Sequence, residues 1–111
     1  MKTKRICYAC DLKEDPKLIQ EYIHHHQNVW LEIKESIRVA GVVDMEIYQV
    51  FNRLFMIMEV GEDFSPDLKA HIDSENPIVQ KWEQLMWKFQ QSLPQAKEGE
   101  KWVEMKHIFK L

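Results

Sequence analysis

Two apolar runs, VDMEIYQV (43–50) and RLFMIMEV (53–60), are separated by only Phe51 and Asn52. Extended segments this close in sequence leave no room for a crossover, so they read as an antiparallel hairpin. Side chains alternate between the two faces of a strand, and in the second run both alternating sets are apolar. Met56 and Met58 belong to one set, Phe55 and Ile57 to the other. The sheet built on this hairpin therefore needs cover on both faces. Helices can supply one side. A second subunit packing sheet to sheet, or a ligand pocket lined by aromatics, can supply the other, and we expect both, in a symmetric homodimer.

The remaining elements follow from changes of hydrophobic period. Arg5 to Cys10 is a short strand. Asp15 is suited to cap a helix and Pro16 to its first turn, and a helical pattern runs from about Lys17 to Val39, stopping near Gly41. Beyond the hairpin, Glu62 to Ser74 is polar, contains Pro66, and reads as a loop with at most a short helical turn. Asn76-Pro77 opens a second helix that extends to about Leu93, before Pro94. PQAKEGEK is a polar turn, and Trp102 to Phe109 is a final strand. The order β-α-β-β-α-β is the split βαβ arrangement of ferredoxin-like α+β folds: a four-stranded antiparallel sheet with two helices on one face. At 111 residues, the chain reads as a single domain spanning residues 1–111.

Three consecutive histidines, in EYIHHHQNVW, lie on the first helix. A helix turns about 100° per residue; with His26 at zero, Ile19 and Ile37 fall near +20° and Ile33 near −20°. Tyr22 and Trp30 fall near −40° and +40°, so His26 sits at the centre of the apolar stripe. His24 points about 160° away and His25 about 100° to the side, which makes both solvent-facing. Adjacent helical residues diverge, so the three imidazoles do not converge on one ion, and no metal is expected. Cys7 and Cys10, three apart on a strand, point to opposite faces, and no second pair exists to complete a zinc site.

From the residues alone, His26 is either a core histidine making one hydrogen bond or a general acid/base at a pocket mouth. Tyr22, one turn away on the same face, suits the second. On the second helix Ile78, Val79, Met86, Phe89 and Leu93 lie within about 60° of Trp82, whereas Trp87 falls outside. Trp82 is a core residue or an apolar platform for a sugar's C–H face. Trp30, Tyr48 and Trp102 are candidates for the rest of a pocket wall. The formal net charge of −3 gives no basic footprint, so nucleic acid is not an expected partner. No run approaches the roughly 18 apolar residues of a membrane span, and MKTKRICYACDLKED lacks the apolar core of a secretory signal; a cytoplasmic location is expected.

EYIHHHQNVWLEI, GVVDMEIYQVFNRLFMIMEV and NPIVQKWEQLM together resemble the L-rhamnose mutarotase family and its L-fucose mutarotase-like relatives, over nearly the whole chain. The Tyr-x-x-x-His…Trp spacing carries most of the specificity. The resemblance implies a ferredoxin-like homodimer, a dimeric α/β barrel, that interconverts the anomers of a 6-deoxy-L-hexose without metal or cofactor. It implies that His26 is the proton donor, that Tyr22 binds substrate, and that Trp82 is the first of a substrate-binding tryptophan pair. Two positions depart from the pattern. Glu83 stands where the second tryptophan is expected and Met45 where a tyrosine is expected, which points toward the fucose-like relatives. Glu83, Asp44 and water are candidates to take the anomeric proton. Small ferredoxin-like dimers also include ligand-binding modules and heme-degrading monooxygenases, in which His26 would serve as an axial ligand.

Overall fold

The computed structural model describes residues 2–111; Met1, the first residue of the expected domain, lies outside them. The first strand, β1 (Thr3–Leu12), leads to α1 (Pro16–His26). The Asp15 carboxylate starts that helix by accepting from the N–H of Lys17 at 2.9 Å and of Leu18 at 3.4 Å. Instead of one helix to Val39 there are two. α1 closes at Gln27, whose N–H donates to the His24 carbonyl at 3.1 Å, and α2 (Leu31–Val39) starts afresh from Trp30. The stripe of apolar residues continues in phase through the break, so periodicity conceals it. The residues at the break, His26 to Val29, include the weak helix formers His, Asn and Val.

After α2, Gly41 adopts φ +102°, a conformation that favours glycine. β2 (Val42–Val50) and β3 (Arg53–Gly61) form the expected hairpin, with Met45 opposite Met58 and Val50 opposite Arg53. Phe51 turns the chain at φ +52°. Asn52 pins the turn to the end of β1: its side-chain amide donates to the Leu12 carbonyl at 3.0 Å, and its own carbonyl accepts from the Leu12 N–H at 2.6 Å.

The segment read as a polar loop carries a full helix, α3 (Pro66–Glu75). Ser65 caps it through a 3.1 Å bond to the Leu68 N–H. None of its residues is buried, and its two large apolar residues, Leu68 and Ile72, are exposed, too short a pattern to read as a helix; the Ser-Pro-Asp start is the signal that could have revealed it. α4 (Pro77–Trp87), capped by Asn76, ends six residues before Leu93. Gln90–Gln91 form β4, which pairs with Asp11 and Leu12. The last strand is likewise shorter than expected: only Val103–Glu104 (β5) pair, with Ala9 and Tyr8. Ile108, Phe109 and Leu111 lie outside the sheet and are exposed.

All pairings are antiparallel, in the order β2-β3-β1-β4, with β5 also on β1. Because β3 covers one edge of β1, β4 and β5 share the other and stand in for the fourth strand of a ferredoxin-like sheet. Even-numbered residues of β1 and β3 face the helices. Cys10, Leu12 and Leu54 pack with Tyr22, Ile33, Val79, Trp82, Met86 and Phe89. Odd-numbered Cys7, Phe55 and Ile57 face the other way, half-buried, between the Arg5–Glu59 and Arg53–Asp11 ion pairs at 3.1 and 2.8 Å.

Candidate active site

A cavity of about 340 Å³ lies between the helical layer and the sheet, not on the outer sheet face where a pocket was expected beside the partner subunit, because the inward methionines leave room under the helices. Met45, Ile47, Met56 and Met58 form its sheet side, and α1, α2 and α4 supply His26, Tyr22, Ile33, Trp82 and Glu83. α3 adds Lys69, Ala70 and Asp73, the first and last of them an ion pair, so a largely apolar lining carries a limited set of polar groups, the pattern expected of a small-molecule site.

His26 is the last residue of α1 and is mostly buried. Its Nδ1 lies 2.9 Å from the Tyr22 carbonyl oxygen. A carbonyl only accepts, so Nδ1 carries the proton and Nε2 is the nitrogen left free for chemistry. The ring stacks obliquely on Tyr22, centroids 4.2 Å apart, and meets Trp82 edge-on at 5.6 Å. Burial lowers the imidazole pKa below its ordinary 6.5, opposed by the Tyr22 carbonyl and reinforced by neighbouring His25.

Tyr22 is 3% exposed, and burial holds its phenol pKa well above the usual value, so the group remains a protonated hydroxyl. Its oxygen accepts from Gln90 Nε2 at 3.1 Å, which leaves the phenolic proton free to donate. Beside it, the Lys101 ammonium pairs with the Glu83 carboxylate at 2.6 Å and sits 4.7 Å from the centre of the Trp87 ring. Lys101, Gln90 and Trp102 also line the cavity.

Of the residues singled out from sequence, Tyr22, His26, Met45, Trp82, Glu83 and Trp102 thus meet around one cavity. Trp30 does not line it but backs the wall, packing edge-on against Trp82 with ring centres 5.1 Å apart. Tyr48 does not join the site. Met45 and Ile47 take the cavity side of β2, so alternation turns Tyr48 to the opposite face, where its hydroxyl donates to Glu46 at 2.9 Å. Asp44 is exposed and its Oδ1 accepts from the Met45 N–H at 3.0 Å; it does not line this cavity. His24 is exposed as expected, but His25 is half-buried against Phe89, 5.4 Å between ring centres.

Sequence reasoning missed Gln90 and Lys101. Gln90 was assigned to a helix and Lys101 to a polar turn, and no local pattern distinguishes either from a solvated residue. Cys10 faces the cavity side and Cys7 the other; both are free, and burial pushes the Cys10 thiol up to about 12. Such a thiol is inert rather than nucleophilic at neutral pH.

Residues 5–111 match the family described as L-rhamnose mutarotase. An L-fucose mutarotase from Xanthomonas campestris pv. campestris is 44% identical, the match covering 100% of this chain and 90% of that protein. An L-rhamnose mutarotase from Phocaeicola vulgatus is 38% identical over 71% of this chain and 72% of its own length. The crystal structure of an L-rhamnose mutarotase from Formosa agariphila superposes with a TM-score of 0.72 at 23% identity, covering 97% of this chain and 98% of that one.

Proposed function

The chain belongs to the L-rhamnose mutarotase family and is a sugar mutarotase, an isomerase, and we propose that its substrate is a 6-deoxy-L-hexose, L-fucose in preference to L-rhamnose. Three features support the choice of sugar: the 44% identity to an L-fucose mutarotase, and Met45 and Glu83 in the cavity wall at the two positions that depart from the L-rhamnose pattern.

Mutarotation requires three events. The anomeric hydroxyl passes its proton to a water as the ring oxygen gains one, and the bond between C1 and the ring oxygen breaks to give the open aldehyde. The C1–C2 bond rotates. Closure then reverses the proton transfers with the carbonyl presenting its other face, and no atoms or electrons are exchanged beyond protons. His26 protonates the ring oxygen through Nε2 during opening and takes that proton back on closure. The observation that carries this assignment is the Nδ1–H bond to the Tyr22 carbonyl, which fixes both the tautomer and the ring plane. The Tyr22 hydroxyl donates to the sugar, and the Trp82 ring, Glu83 and Met45 contact it from the cavity walls. No step calls for a metal or cofactor.

The protein functions as a homodimer in which the half-buried outer face of the sheet, centred on Cys7, Phe55 and Ile57, packs on its copy to give the dimeric α/β barrel. The two free cysteines fit a cytoplasmic setting. Saturation-transfer NMR on the anomeric protons tests the function. The protein should accelerate exchange of L-fucose more than of L-rhamnose, and His26→Ala should remove the acceleration; unaccelerated exchange of both sugars by the wild type would refute the proposal.

A further inference from the structure

We infer that the Glu83–Lys101 ion pair is a clamp for two neighbouring hydroxyls of the sugar, with Lys101 a specificity-determining residue. The inference rests on the mutarotase reading of this cavity and adds to it a residue from the far end of the chain. Lys101 lies just before β5, on the segment that returns from the polar turn to the edge of β1. It is 9% exposed and lines the same cavity as His26, Tyr22 and Trp82.

Stability does not account for such a residue. Burying an ammonium is costly, and one ion pair with a half-exposed carboxylate seldom recovers the loss, so an apolar side chain of the same length would serve the fold equally well. The pair makes better sense as a recognition device. An ammonium carries three N–H donors, and here the Glu83 carboxylate takes one, at 2.6 Å. The Trp87 ring beneath, 4.7 Å from Nζ, holds the cation in place without consuming a donor. The carboxylate retains acceptor sites of its own. A donor and an acceptor side by side match a vicinal diol, in which one hydroxyl donates to Glu83 while its neighbour accepts from Lys101.

Gln90 gives independent support from the same wall. It is 3% exposed, its Nε2 is committed to Tyr22, and its buried Oε1 meets no donor of the protein. An unmatched amide end of this kind marks a place where the protein's own hydrogen bonding is incomplete. Glu83, Lys101 and Gln90 thus give the cavity a polar stretch of wall suited to hydroxyls, separate from the Lys69–Asp73 pair that α3 contributes. The Met45, Met56 and Met58 side suits the C–H face and methyl group of a deoxy sugar.

The test is the kinetics of anomer exchange for Lys101→Met, which keeps the length of the side chain and removes its charge. L-Fucose and its 2-, 3- and 4-deoxy analogues serve as substrates. The wild type should discriminate about tenfold or more against at least one analogue, because a charged hydrogen bond is then lost. Lys101→Met should raise KM for L-fucose about 10- to 100-fold with kcat changed by less than about threefold, and should erase that discrimination. A second variant, Glu83→Gln with Lys101→Met, removes both charges together, so that no lone charge is buried, and should behave alike. If the wild type exchanges L-fucose but either folded variant keeps its KM and its discrimination, the clamp is wrong and the mutarotase reading stands. If the wild type accelerates no sugar, both fall together.

Discussion

Replacing Tyr22 with phenylalanine removes one oxygen, and its consequences separate the two roles assigned to that hydroxyl. The hydroxyl accepts the 3.1 Å bond from Gln90 Nε2, and both residues are 3% exposed. In Tyr22→Phe the Gln90 amide, whose Oε1 already lacks a protein partner, loses its Nε2 partner as well. A buried donor left unmatched costs about 1–3 kcal/mol, whereas removing both members of a hydrogen-bonded pair is close to neutral. Tyr22→Phe should therefore lower unfolding stability by about 1–2 kcal/mol, and Tyr22→Phe with Gln90→Leu should recover at least half of that. Activity should not follow stability. The double variant still lacks the donor to the sugar and should keep the raised KM of the single variant. Urea titration reads the first effect as a shift in midpoint at constant m-value, and NMR anomer exchange reads the second. A double variant less stable than Tyr22→Phe, or one with wild-type KM, would refute the reasoning.

Three further expectations concern pH and assembly. His26 donates to the ring oxygen as the imidazolium, so kcat/KM should fall as pH rises, with its midpoint below the ordinary 6.5 because burial lowers the pKa. The same lowered pKa means that the unfolded chain binds this proton more readily than the folded one. The stability it confers is complete above 6.5 and lost as pH falls toward the folded-state value, so between about pH 7.5 and pH 5 the urea midpoint should fall more for wild type than for His26→Gln. For the homodimer, sedimentation should give twice the chain mass, and Ile57→Lys on the outer sheet face should yield a folded monomer; a wild-type monomer would overturn the proposed interface.

How much of this was legible in the sequence depended on whether a residue's partners were local. The hairpin, the Asp15 and Asn76 caps and the inward face of His26 are set by neighbours within one helical turn or across a two-residue loop. The alternation of β2 was legible too, and applied strictly it would have excluded Tyr48 from a wall that Met45 and Ile47 already occupy. The break after His26 was not legible, because Trp30, Ile33 and Ile37 resume the apolar phase of α1 as if the helix continued. α3 was missed because it turns Lys69 and Asp73, not an apolar face, toward the cavity and leaves Leu68 and Ile72 exposed. Gln90 owes its place to the pairing of β4 with β1, and Lys101 to its ion pair with Glu83 on α4, contacts across the fold that no local periodicity records. The expected helix to Leu93 hid Gln90 in particular, since its role depends on α4 stopping at Trp87 so that the chain can join the sheet edge.

The most direct test of the account is the rate of anomeric exchange of L-fucose with wild type and His26→Ala, alongside L-rhamnose. L-Fucose should exchange faster than L-rhamnose, and the variant, with its fold retained, should lose about 10²- to 10⁴-fold. Acceleration that persists undiminished in His26→Ala would contradict the assignment of the acid. Exchange no faster than in buffer for either sugar would contradict the proposed substrates.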